Sequence, residues 1–179
     1  MINHSIDNST EIHVDALDLI NKFSDYSKKA DLNIDTILHE QITDPVIQKV
    51  RKWVKLGQEP DDNYKIKQSK AFQSYKNNFK LLFLDPTYDI LCFNEPTSTP
   101  GQTQVKICLP LTLILKCFEL AHSHPLSGHM GIGKTFDNVR RFFFWPGRYK
   151  WIAMLIADCL NCQKNKSKRH DLNDALLEV

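Results

Sequence analysis

Residues 121–166 read AHSHPLSGHMGIGKTFDNVRRFFFWPGRYKWIAMLIADCLNCQKNK, with histidines near the start and a Cys-x-x-Cys, Cys159 and Cys162, near the end. Neutral imidazole nitrogens and thiolate sulfurs are the ligands of tetrahedral zinc sites. If two histidines and both cysteines bind one ion, no coordination position is left for water or substrate. The stretch therefore predicts one Zn²⁺ that stabilises the fold and performs no chemistry.

Spacing alone leaves open which histidine pairs with His129. Zinc ligands of this kind are commonly three to five residues apart, which suits His124. Six residues separate His122 from His129, but Pro125 and Gly128 make a longer loop feasible. Both pairings are compatible with the residues themselves.

The chain has five cysteines, and three of them lie outside the Cys-x-x-Cys. Cys92, Cys108 and Cys117 occur in apolar runs and are predicted to be buried as small hydrophobic side chains. A redox role for Cys159 and Cys162 is the alternative to metal binding. The surrounding pattern does not favour that role, because it lacks the parallel βαβ unit in which redox Cys-x-x-Cys motifs occur.

The region around the metal motif is predicted to be a three-helix bundle. Apolar periodicity indicates helices over 111–121 and 131–142, and a third helix that begins near Pro146 and ends at the Cys-x-x-Cys. A core of about 55 residues is only marginally stable alone, so a structural metal is a plausible stabiliser.

The preceding region predicts a helix and a small antiparallel sheet. Asp35 is a plausible cap for a short turn through Ile42, and Thr43 is the expected N-cap of an amphipathic helix that Gly57 ends. Strands are expected over 79–84, 90–93 and 105–109, whereas 61–77 is polar. The fold class is therefore α+β. The predicted segments are a tether (1–33), the helix and sheet (34–109), the zinc-binding domain (110–166) and a basic, amphipathic tail (167–179).

The net charge is only +2, but the basic residues are concentrated. Residues 129–170 contain nine Lys or Arg against two Asp, whereas residues 1–60 contain ten Asp or Glu against seven Lys or Arg. The cations around the metal motif are candidate phosphate ligands. They are Lys134, Arg140, Arg141, Arg148, Lys150, Lys164, Lys166, Lys168 and Arg169. A solvated charged face is the alternative interpretation.

The motif residues resemble a known family, the zinc-binding N-terminal domain of integrases, in the form found in gypsy-type LTR retrotransposons. The similar positions are His122 and His129-Met130-Gly131-Ile132-Gly133-Lys134-Thr135, then Phe144-Trp145-Pro146-Gly147, then Cys159-x2-Cys162-Gln163. The family pattern is roughly GHxGxxKT, FYWPG and CxxCQ. The resemblance is strong over 105–168 and extends more weakly back to Asp35.

The resemblance implies the ligand set His122, His129, Cys159 and Cys162, which favours His122 over His124. It also implies a DNA-binding and multimerisation module of a retrotransposon Pol polyprotein. Its partners would be DNA and other integrase subunits, in a homo-oligomer. Two departures from the family are the aromatic run Phe142–Phe144 and the charged Arg148 after Gly147.

The resemblance also implies that an integrase has a catalytic core with three carboxylates on a sheet. The sequence predicts no strands around the acidic residues of this chain that could form such a core. Asp171, Asp174 and Glu178 lie in the last ten residues. We therefore expect no catalysis by this chain. The alternative function is a protein-interaction module without DNA binding, with Trp53, Trp145 and Phe142–Phe144 as its surface. No secretion signal or membrane span is visible, so the nucleus or cytoplasm is the expected location.

Overall fold

A computed structural model describes residues 19, 21–22, 32–58, 69–125 and 127–165. The predicted tail and most of the predicted tether lie outside these residues, as do Lys166, Lys168 and Arg169. Within the tether, Leu19 and Leu32 are described, and both side chains are buried. The helices are α1 (Ile34–Thr43), α2 (Pro45–Leu56), α3 (Lys70–Asn77), α4 (Ile114–Phe118), α5 (Ile132–Arg140), α6 (Arg148–Ala157) and α7 (Leu160–Asn165). The strands are β1 (Leu82–Leu84), β2 (Leu91–Pro96), β3 (Thr103–Cys108) and β4 (Phe143–Phe144).

The fold class is α+β, as predicted, with a four-stranded sheet in the order β1-β2-β3-β4. The first three strands are antiparallel, with Leu82 opposite Phe93 and Cys92 opposite Ile107. The fourth strand was not predicted. It pairs in parallel with β3, placing Ile107 opposite Phe143, so the sheet is mixed.

Strand β4 begins directly after the helix that was predicted over 131–142, and that helix ends two residues earlier than predicted. Helix α5 ends at Arg140, and the chain then turns into the sheet. The Ile107 amide donates to the Phe142 carbonyl at 2.9 Å, and the Leu109 amide donates to the Phe144 carbonyl at 2.8 Å. These long-range bonds satisfy the Phe142 and Phe144 carbonyls within the sheet.

The first two helices have different caps from those predicted. Asn33, not Asp35, caps α1, because its side-chain oxygen accepts from the Thr36 amide. Asp44, not Thr43, caps α2, because its carboxylate accepts from the two amides at Val46 and Ile47. A carboxylate also complements the partial positive charge at a helix N-terminus.

The sheet separates two layers of core. Because neighbouring side chains of a strand point to opposite faces, Phe143 packs on one side with Cys92, and Phe144 packs on the other with Leu91. The first side is covered by α1 and by the helices of the metal motif. The second is covered by α2 and by α3. Helix α3 was not predicted, and it buries Phe72 and Tyr75 in the 61–77 stretch.

The aromatic surface predicted for a protein-interaction module is wrong, because most of its side chains are buried. Trp145 is 1% exposed, and Phe143 and Phe144 are also buried. Trp53 packs edge-on against Phe72, with ring centroids 4.8 Å apart. These aromatic side chains build the core.

Among the described helices, none has the length and apolar character needed to cross a lipid bilayer.

Candidate metal centre

His122 is positioned by an irregular helical segment. The predicted helix over 111–121 is a short 3₁₀ turn, then α4, then a π-helical turn over Glu119–Ser123. Wide turns of this kind are frequent at functional sites. The His122 side chain is fully buried and stacks on Phe118, with centroids 4.8 Å apart.

His129 is presented by a loop in an unusual backbone conformation. Gly128 has φ +59° and His129 has φ +52°, both in the left-handed region. A non-glycine residue there costs on the order of 1 kcal/mol and persists only where the surroundings enforce it. The His129 amide donates to the His122 carbonyl at 3.0 Å, which ties the loop to the first histidine.

The cysteines follow the third helix of the motif. Helix α6 ends at Ala157, so Cys159 lies just beyond it, and Cys162 lies in the separate short helix α7. Both cysteines were predicted to lie at the C-terminal end of the third helix. They do follow that helix, but neither belongs to it. The break lets both sulfur atoms face the histidines.

His122, His129, Cys159 and Cys162 come together with their ligand atoms within 4.8 Å of one another. His129 Nδ1 lies 3.4 Å from His122 Nε2 and 3.4 Å from Cys159 Sγ. Cys162 Sγ lies 3.3 Å from His122 Nε2. A tetrahedral zinc ion with ordinary Zn–N and Zn–S bonds needs edges of about 3.3–3.8 Å. The four residues therefore fit one zinc ion.

This geometry decides between the two histidine pairings. His122 belongs to the group and His124 does not. Four protein ligands fill the tetrahedral coordination of zinc and leave no position for water or substrate. This is the arrangement of a structural site.

The buried ligand His122 is oriented by the loop around Met130. Its Nδ1 lies 3.0 Å from the Met130 carbonyl and 3.4 Å from the Thr135 hydroxyl. An Nδ1–H that donates to the carbonyl leaves the Nε2 lone pair for the metal. Burial lowers the pKa of His122, although the Met130 bond acts in the opposite direction. The neutral, metal-binding form is thus favoured.

Thr135 supports this arrangement from α5. It is fully buried, and its hydroxyl donates to the Met130 carbonyl at 3.0 Å. Thr135 is part of the motif that resembles the family, but no role at the metal site was predicted for it. Its position four residues after Gly131, on the buried face of α5, was the available signal.

The remaining cysteines are buried, as predicted. Cys92, Cys108 and Cys117 are 0% exposed. Burial raises the pKa of all three thiols. They therefore stay protonated and act as small apolar side chains.

The candidate phosphate ligands occupy different environments. Lys134, Arg140, Arg141, Lys150 and Lys164 are exposed. Arg140 forms an ion pair with Asp137 at 2.8 Å. Arg148 differs from the others, because its guanidinium pairs with Glu95, donates to the Phe143 carbonyl and is only 13% exposed. Lys166, Lys168 and Arg169 lie outside the described residues.

Comparison with known families supports the same assignment. Residues 109–168, about one third of the chain, match the family model of the integrase zinc-binding domain. Neither a curated protein nor a solved structure shows significant similarity to the chain. The match includes all four clustered ligands. Residues 109–168 are therefore an integrase zinc-binding domain, with a site for one structural zinc ion formed by His122, His129, Cys159 and Cys162.

Proposed function

We propose that this chain is the DNA-binding and multimerisation module of a gypsy-type retrotransposon integrase, and that it is not itself an enzyme. The observation that carries the proposal is the closed four-ligand site within the family match. Four protein ligands fill the coordination sphere of zinc, so the ion stabilises the packing of the helices and does not itself bind a partner. Binding is then a function of the protein surface.

Exposed cations on the zinc-binding helices support DNA as the ligand. Lys134 lies on α5, Lys150 on α6 and Lys164 on α7. Lys and Arg neutralise phosphates and release condensed counterions, which makes affinity depend on salt. Arg148 is excluded from this set because Glu95 already neutralises it.

Duplex DNA binding by the Lys150→Glu/Lys164→Glu variant tests the proposal. Fluorescence anisotropy of a labelled duplex, titrated from about 50 to 200 mM salt, measures the affinity and its salt slope. Lys52→Glu/Lys70→Glu is the matched control, because it removes the same charge from exposed positions on α2 and α3.

We expect the zinc-domain variant to bind at least 10-fold more weakly, with a shallower salt slope than wild type, because two phosphate contacts are lost. The control should bind within about 2-fold of wild type. Equal losses in both variants would show that only overall charge matters. An affinity that does not change with salt concentration would contradict the proposal.

Exposed apolar side chains on α6 and α7 favour the multimerisation part. Trp151 is 36% exposed, Met154 48% and Leu160 68%. Sedimentation of wild type and Met154→Glu over a concentration series tests this face, with Leu56→Glu as the control at a similarly exposed position on α2. We expect only Met154→Glu to weaken self-association, and unchanged association would contradict this role.

A further inference from the structure

We propose that Asn161 is a positioning residue for the metal centre, holding His129 with its Nδ1 aimed at the zinc ion. The Asn161 side-chain nitrogen, Nδ2, lies 3.1 Å from His129 Nε2, so the two side chains are within hydrogen-bond distance. The inference rests on the metal centre and is independent of DNA binding.

The protonation of His129 fixes the direction of this hydrogen bond. His129 Nδ1 is the atom near His122 Nε2 and Cys159 Sγ, at 3.4 Å from each. A neutral imidazole carries one proton, so a ring that gives its Nδ1 lone pair to a metal carries the proton on Nε2. Nε2 must then donate, and its partner must accept.

Asn161 accepts when its side-chain oxygen faces the ring. Rotating the amide by 180° exchanges its oxygen and nitrogen in place, so the 3.1 Å separation is kept. The hydrogen-bond network decides between the two orientations. With zinc bound, the network requires the oxygen toward His129.

The two histidines are therefore held by different means. His122 is fully buried and its second nitrogen meets the Met130 carbonyl. His129 is half-buried, lies on a loop and adopts a strained φ of +52°. Its second nitrogen instead meets a side chain from α7, at the outer edge of the centre.

The position of Asn161 between Cys159 and Cys162 links the two halves of the site. One short segment brings both thiolates and also the group that orients the opposing histidine. Outer partners of this kind tune metal affinity by about 10- to 100-fold. We therefore expect retention of zinc to depend on residue 161.

Zinc release from the full chain to excess chelator tests the proposal in three variants. Asn161→Leu removes the acceptor with little change of size, and Asn161→Asp keeps an acceptor. Asn165→Leu is the matched control, because Asn165 is also exposed on α7. Circular dichroism of the metal-free and zinc-loaded forms separates a local effect from loss of fold.

We expect Asn161→Leu to release zinc about 10-fold faster, while Asn161→Asp and Asn165→Leu stay within about 2-fold of wild type. In ¹⁵N spectra of the zinc-loaded chains, the His129 Nε2–H should be protected from solvent exchange in wild type, Asn161→Asp and Asn165→Leu, but not in Asn161→Leu. A purely structural role would not produce this signature.

Equal release rates for wild type and Asn161→Leu would overturn the proposal. So would an Asn161→Asp chain that loses zinc as fast as Asn161→Leu, because its carboxylate can accept the same bond. A wild-type chain that takes up no zinc would overturn the metal centre and this inference together.

Discussion

Arg148, in the first turn of α6, forms an ion pair with Glu95 in β2, so the zinc-binding domain is joined to the sheet that precedes it. Arg148 also donates to the Phe143 carbonyl at 2.8 Å, and its guanidinium lies 5.4 Å from the Phe144 ring centroid. One side chain thereby fixes the start of α6, the strand β4 and the sheet relative to one another.

Replacing Glu95 with Gln should destabilise the chain. The pair is mostly buried, with side chains 13% and 27% exposed, so the change leaves a partly buried guanidinium without its counter-charge. We expect a loss of about 1–3 kcal/mol in the free energy of unfolding, measured by urea denaturation with zinc present. Asp137→Asn breaks the exposed pair with Arg140 and should cost less than about 0.5 kcal/mol. Equal costs would contradict this account.

Gln41 is a second connector, and replacing it with Leu should be costly. Its amide is fully buried, donates to the Cys108 carbonyl at 2.6 Å and accepts from the Leu91 amide at 2.7 Å. Gln41→Leu leaves these backbone groups buried without partners, so we expect a loss of about 2–4 kcal/mol. Gln48→Leu, at an exposed position on α2, should change stability by less than about 0.5 kcal/mol. A Gln41→Leu chain as stable as wild type would contradict the role of Gln41.

Lys106 should make stability rise with pH in the alkaline range. Its Nζ is buried near Glu95 and donates to the Gln104 side chain at 2.5 Å. Burial lowers the pKa of Lys106 from 10.5 to about 8, against the attraction of Glu95 and with the repulsion of Arg148, Arg140 and Arg141. Between these values the unfolded chain binds more protons than the folded chain, so raising the pH favours folding.

The comparison with Lys106→Met isolates this effect. We expect the free energy of unfolding of wild type, minus that of Lys106→Met, to increase from about pH 7 to about pH 10. Urea denaturation at several pH values within this range provides the measurement. A difference that stays flat or falls would mean that the Lys106 ammonium is not destabilised by burial.

The ligand set could be predicted because coordination chemistry constrains residue type and spacing more tightly than packing does. Cys159 and Cys162 were identified from the motif alone, whereas His122 needed the family resemblance to be chosen over His124. The geometry then brought the four residues together. Helix α2 was also predictable, since its apolar residues recur at helical spacing.

Strand β4 and helix α3 could not be predicted, for different physical reasons. Two residues are too few to show a strand period, and the partner of Phe143 is Ile107, far away in sequence. Helix α3 has only Phe72 and Tyr75 buried in a polar stretch, so its apolar pattern is too sparse. The roles of Gln41 and Lys106 were missed because Gln41 bonds to Leu91 and Cys108, and Lys106 bonds to the Arg141 carbonyl as well as to nearby Gln104. Leu91, Cys108 and Arg141 are all distant in sequence from the residues they bond.

Zinc content by native mass spectrometry tests the central claim most directly. We expect one zinc ion per wild-type chain, loss of that ion in Cys162→Ser, and its retention in Cys117→Ala, where the cysteine is buried away from the site. A wild-type chain without zinc, or a Cys162→Ser chain that holds zinc as tightly as wild type, would contradict the account.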